Sequence, residues 1–298
     1  MWRLGDGACA TIRHAAQTRR IEAAVAAGGT LAKTMESTIG RFPAQIERPT
    51  PLKFASPIVL VPELFTTRIH LAALTGFLAN NGWEVYVPDY RAVAGSGGTL
   101  ALARLDFHGW AALVQEAIAA IGRDVIVIGH GIGGLTALAL AERPHVRAAI
   151  ALAPALPGFP SPLILRPATF FALLRRSLLV PPRGRGLADF IANAETFQRQ
   201  GLIDALVPDA ARIALECARG RIRLARFGEA SPRLIMVGDA DPFAPIQRAS
   251  QLAGDIGARM VTLTGRGHWI IGGRAIDLVV SEAERFLVRT LGPELMTR

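Results

Sequence analysis

The sequence predicts an α/β protein: a mostly parallel sheet with helices on both faces and an inserted helical segment. Three observations carry this. Short apolar runs alternate with longer helical stretches from Ile58 onward. One run, Asp124 to Ile128, is almost wholly Val and Ile, the mark of a strand covered on both faces. Several runs end in glycine-rich turns, where open parallel sheets place their ligand sites.

The elements follow in order. Residues 1–55 read as an N-terminal helical arm followed by a Pro-rich linker from Phe42. Ile58 to Val61 is the first buried strand. A helix follows from Thr67 to Asn80, stopped by Asn81-Gly82. Trp83 to Val87 is a strand, and Gly95 to Gly98 is a loop. Asp106 caps a helix that runs to Ile121. After the strand at Asp124 come a sharp glycine turn, a helix from Leu135 to Ala141 and a strand from Val146 to Leu152. Arg233 to Val237 and Arg259 to Leu263 are strands separated by a helix from Pro245 to Gly254, and a last helix spans Ile276 to Thr290. The core is therefore expected over 56–154 and 231–298. Residues 155–230 interrupt the rhythm and read as a helical cap.

Composition narrows the class. Hydrophobic residues make up 51% of the 298, ample for a core, which excludes a disordered chain. The two cysteines, Cys9 and Cys217, build neither a disulfide framework nor a cysteine zinc site. The net charge of +9 is nearly all arginine and is spread along the chain. No basic stripe with a nucleic-acid motif is present, so no nucleic-acid partner is expected. Arg13, Arg19, Arg20, Arg175 and Arg176 suggest weak peripheral attraction to acidic membranes, each contributing roughly 1 kcal/mol at most. No signal peptide or membrane span is legible, and a cytoplasmic location, peripheral to the inner face of the membrane at most, is expected.

Three turns at strand ends carry the chemistry. The first is Val127-Ile128-Gly129-His130-Gly131-Ile132-Gly133-Gly134, a strand, tight turn and helix. The second puts Asp241 just past a strand, with Asp239 the weaker candidate for the same role. The third puts His268 just past the last strand, followed by Trp269. The order elbow, acid, histidine resembles the α/β-hydrolase superfamily over residues 56–291, with a helical cap as the resemblance implies. Residue by residue, Asp241 matches the acid and His268 the base. The Ile132 N–H matches one oxyanion donor, and the Glu63 or Leu64 N–H the other. Where the superfamily carries a nucleophile, this chain has Gly131, which has no atom to attack with.

Glycine at that point leaves room for a water or a substrate hydroxyl, and a serine would add only a hydroxymethyl group to the turn. Glu63 brings a carboxylate near the same place, as a base or as the partner of an arginine. His130 is expected beneath the turn, and Cys217 reads as a small core residue. His130, Phe65, Trp269, Phe170 and Leu174 are candidates for contact with a hydrophobic acyl- or terpenoid-type ligand. No metal and no cofactor is expected.

The reading is a hydrolase-like protein without a nucleophile. It would perform hydrolytic or lyase-type acid–base chemistry through His268 and Asp241. Two alternatives stand beside it. One is an inactive ligand-binding or scaffolding protein, for which the N-myc-downregulated-gene family looks similar in its degenerate elbow. The other is an acyl esterase whose serine was changed to glycine.

Overall fold

The computed structural model describes residues 31–159, 175, 178–224 and 231–297. Eight strands form one sheet: β1 (Leu31–Ile39), β2 (Phe42–Thr50), β3 (Ile58–Val61), β4 (Val85–Pro88), β5 (Val125–His130), β6 (Val146–Leu152), β7 (Arg233–Gly238) and β8 (Arg259–Leu263). Their spatial order is β1-β2-β4-β3-β5-β6-β7-β8. The pairs β1–β2 and β2–β4 are antiparallel and all the others parallel. Every residue of β3, β5 and β7 is buried, as continuous aliphatic runs require.

Among the described residues, the helices before β6 are α1 (Arg68–Asn80), α2 (Tyr90–Ala94), α3 (Thr99–Arg104), α4 (Phe107–Ile121) and α5 (Ile132–Leu140). Asp106 caps α4 as expected, its side chain accepting from Gly109 N at 2.8 Å. Among the described residues between β6 and β7 lie three short helices, α6 (Arg185–Phe190), α7 (Thr196–Asp204) and α8 (Ala211–Ala218). The chain closes with α9 (Ile246–Ile256), β8 and α10 (Ile276–Leu291).

One expectation is corrected. Residues 31–50 are neither helical arm nor linker but the β1–β2 hairpin, which extends the parallel sheet at one edge. The signal was a period of two: Phe42, Ala44 and Ile46 are buried while Pro43 is exposed. Gly40, at φ 55°, makes the turn between the strands. The proposed helix at 1–30 and Arg13, Arg19, Arg20, Phe170, Leu174 and Arg176 lie outside the described residues. Among the described residues, no helix is long and apolar enough to cross a membrane.

Candidate active site

Four chain segments meet at the carboxyl ends of the parallel strands: the turns after β3, β5, β7 and β8 bring Glu63, Gly131, Asp241 and His268 together. At the β5–α5 turn Gly131 stands at φ 54°, ψ −117°, a conformation that glycine adopts without strain. The turn packs tightly against the sheet, since a Cβ on Gly133 would lie 2.2 Å from the Val61 carbonyl oxygen.

His268 and Asp241 are joined as the sequence predicts. His268 Nδ1 lies 3.0 Å from Asp241 Oδ2, and both residues are buried. Asp241 Oδ1 also accepts from Phe243 N at 2.7 Å. Burial opposes the Asp241 charge, but the His268 charge and the Phe243 and Ala244 amides outweigh it and hold this carboxyl below its ordinary range. Burial likewise opposes the His268 charge, yet Asp241 and Glu63 outweigh it and push the imidazole up to about 9. The direction of this shift favours the imidazolium form of His268. Asp239 takes no part: it is exposed and accepts from Gly265 N at 2.7 Å.

The environment of Gly131 departs from expectation. No room is left for a water or hydroxyl there, because the Glu63 side chain fills the space. A Cβ built on Gly131 would fall 1.0 Å from Glu63 Oε2. The same carboxylate takes both backbone donors of the site. Oε2 accepts from Ile132 N at 2.9 Å, and Oε1 accepts from Leu64 N at 2.6 Å. Oε2 also stands 3.8 Å from His268 Nε2. Glu63 contributes its carboxylate rather than its N–H, and its charged neighbour is His268 rather than an arginine.

Glu63 and His268 share the wall of a cavity of about 40 Å³. Its described lining is otherwise apolar, including Leu64, Phe65, Ile132, Leu156, Leu179 and Phe243. Phe65 is on this wall. His130 and Trp269 are not among the described lining. His130 sits beneath the turn, where its Nε2–H donates to the His268 carbonyl at 3.0 Å. Burial and the His268 charge push this imidazole down to about 3. Trp269 lines a separate cavity with His70 and Leu202. Cys217 does reach the cavity wall, but its thiol is buried and pushed up to about 12 by burial and the Glu63 charge.

Glu63, His130 and His268 each offer one donor atom within 4.8 Å of the others, the spacing of a candidate metal cluster. Most of their donors are engaged: Glu63 holds two amides, His268 holds Asp241, and His130 Nε2 holds a carbonyl. His130 Nδ1 alone has no partner among the described residues. An acid–base reading uses these engaged groups as they stand.

A model of the alpha/beta hydrolase family matches residues 58–282. The chain belongs to this family. No curated protein sequence matches the chain. Among solved structures, the Paleococcus ferrophilus monoacylglycerol lipase is 21% identical with a TM-score of 0.60, covering 79% of this chain and 96% of that one. A soluble variant of monoglyceride lipase from Saccharomyces cerevisiae, in complex with a substrate analog, is 14% identical with a TM-score of 0.63, covering 87% and 97%. A thermophilic esterase from Thermogutta terrifontis is 18% identical with a TM-score of 0.59, covering 87% and 99%. At these identities the likeness establishes the alpha/beta-hydrolase fold.

Sequence reasoning placed the acid, the histidine, the turn and the Ile132 donor in one site. It placed the Glu63 carboxylate near Gly131 but left the Leu64 and Ile132 amides free, whereas the carboxylate occupies both. The available signal was a pairing: a carboxylate on the loop after the first core strand, and an elbow residue without a side chain to exclude it.

Proposed function

We propose that this alpha/beta-hydrolase family member performs acid–base chemistry, without a seryl nucleophile or covalent intermediate, on a hydrophobic small molecule. Gly131 stands where the family carries its nucleophile. The observation that carries the reading is the seat of Glu63. Its carboxylate rests on the Leu64 and Ile132 amides with Oε2 3.8 Å from His268 Nε2.

In this reading Glu63 is the general base and the His268 imidazolium the general acid, oriented by Asp241. Glu63 takes a proton from water or from a substrate C–H or O–H, while His268 delivers one to a leaving oxygen. Both amide donors are already occupied by Glu63. No donor pair is then free for a carbonyl oxyanion, which argues against acyl transfer and for a hydrolytic or lyase-type step at a leaving oxygen. The apolar lining supports an acyl- or terpenoid-type substrate, and so do the lipase names of the similar structures.

Glycine is required by this arrangement, since any side chain at 131 would collide with Glu63. A second reading, an inactive binding protein, draws on the cavity of about 40 Å³, far below the several hundred usual for ligand pockets, and on His268 being 2% exposed.

Turnover of apolar epoxides, with ligand binding measured by native mass spectrometry, separates the two. Acid–base catalysis predicts that Glu63→Gln and His268→Ala each lose about 10²- to 10⁴-fold in rate and retain binding. Bound ligand with no turnover in the unaltered protein supports the binding reading.

A further inference from the structure

We propose that Asp209, with Arg91, is a positioning residue that holds the 63–66 loop so that the Glu63 carboxylate stays seated on its two amides. The proposal rests on the reading of Glu63 as the working base and deepens it. Neither Asp209 nor Arg91 lines the cavity that Glu63 and His268 share.

The loop is short and needs outside support. Thr66 closes it locally: its N–H and Oγ1 both donate to the Glu63 carbonyl, at 3.2 and 2.9 Å. Within this turn Phe65 lies at φ 69°, an uncommon conformation for a bulky side chain that persists only where the surroundings enforce it. The enforcing contacts come from the insertion between β6 and β7, 144 residues away in sequence. Phe65 N donates to Asp209 Oδ2 at 2.9 Å. Phe65 O accepts from Val207 N at 2.9 Å. Both polar groups of the Phe65 backbone are therefore held from outside its own loop.

Arg91 completes the grip. Its guanidinium pairs with Asp209 Oδ2 and also donates to the Thr66 carbonyl at 2.8 Å. Asp209 is itself anchored. It is 1% exposed, its Oδ1 accepts from Ala210 N at 2.8 Å, and its backbone exchanges hydrogen bonds with Leu179 at 2.7 and 2.9 Å. The chain of contact runs from the insertion through Asp209 to Phe65, and from Phe65 along the backbone to Glu63. Lifting residues 207–210 off the loop releases the Phe65 backbone, and with it the carboxylate two residues earlier.

The test is amide exchange and histidine titration on the full chain, which needs no known substrate. Asp209→Asn keeps the shape of the side chain but removes the charge that balances Arg91. It is expected to speed exchange of the Leu64, Phe65 and Ile132 amides at least tenfold while β5 and β6 remain protected. The His268 titration should move below its value in the unaltered protein as Glu63 leaves. A merely structural role would loosen Phe65 and Ala210 but leave Ile132 and His268 as they were, and that result overturns the proposal.

If Asp209→Asn does not fold, Arg91→Lys keeps the charge and loses the fork. The same amides should then exchange faster, by a smaller factor. Unchanged Leu64 and Ile132 exchange in that folded variant also overturns the proposal. Failure of the functional reading is a separate result. Full turnover in Glu63→Gln removes the base assignment whatever the exchange data say.

Discussion

Glu63 Oε2 lies 1.0 Å from the position a Cβ on Gly131 would take. The two residues are mutually exclusive as drawn: this carboxylate seat exists only beside a glycine. An absent side chain and a present one thus form a single feature, with Ile132 N and Leu64 N as its floor. A serine side chain therefore does not drop into this elbow as the local turn alone suggests.

Substitution at the elbow should consequently couple to Glu63. Gly131→Ser alone is expected to destabilise the fold and show no ester hydrolysis, because it expels Glu63 from its amides. In a Glu63→Ala background the same substitution should cost less, with a coupling of about 1–3 kcal/mol. The double variant regains open oxyanion donors beside His268 and should hydrolyse short esters. Chemical denaturation of all four proteins gives the cycle, and additive costs would separate the two residues.

Stability should peak near pH 6.5, the ordinary histidine value. His268 is raised to about 9 in the folded chain, so its contribution is complete below about 6.5 and is lost as pH rises through about 9. His130 is pushed down to about 3, so the unfolded chain gains a proton that the folded chain refuses, and stability falls from about 6.5 toward 3. Melting temperatures across this range should show both limbs. His268→Gln should flatten the alkaline limb, and His130→Gln should reduce the acidic one, to which His70 and Asp241 also contribute.

Fluorophosphonate probes need an activated seryl oxygen. No serine is found among the described residues that line the cavity, and the elbow is Gly131. The folded protein should remain unlabelled under conditions that label a serine esterase completely. Stoichiometric labelling that disappears with His268→Ala would place a nucleophile here that the elbow does not supply.

Cys217 should behave as a core residue although it borders the cavity. With its thiol buried and pushed up to about 12, almost none is thiolate at neutral pH. Iodoacetamide should modify it slowly in the folded protein and readily in denaturant. Rapid native modification, followed by intact mass, would show that the cavity opens to solvent.

Much of the architecture is local and legible in the sequence. The Val-Ile run of β5, the Asp106 cap and the spacing of Asp241 and His268 each express a short-range preference: side-chain branching, an N-terminal amide to be satisfied, a turn after a strand. The β1–β2 hairpin was legible too, through its alternation, but proline at Pro43 and Pro49 made the segment read as linker. Proline has no N–H to donate, and both prolines lie in β2 outside the 44–47 stretch that pairs with β4.

The order of residues alone puts Gly131, Asp241 and His268 in turns at the ends of three strands. Only the tertiary structure decided what fills the elbow at Gly131. Glu63 and Ile132 are 69 residues apart, and no periodicity or turn preference links them. Their contact exists because β3 and β5 pair in parallel, which brings both carboxyl-end turns to the same edge. The hold of Asp209 on Phe65 spans 144 residues for the same kind of reason. A buried carboxylate goes where unpaired amides and unclaimed volume coincide, and that coincidence arises only once the strands have packed.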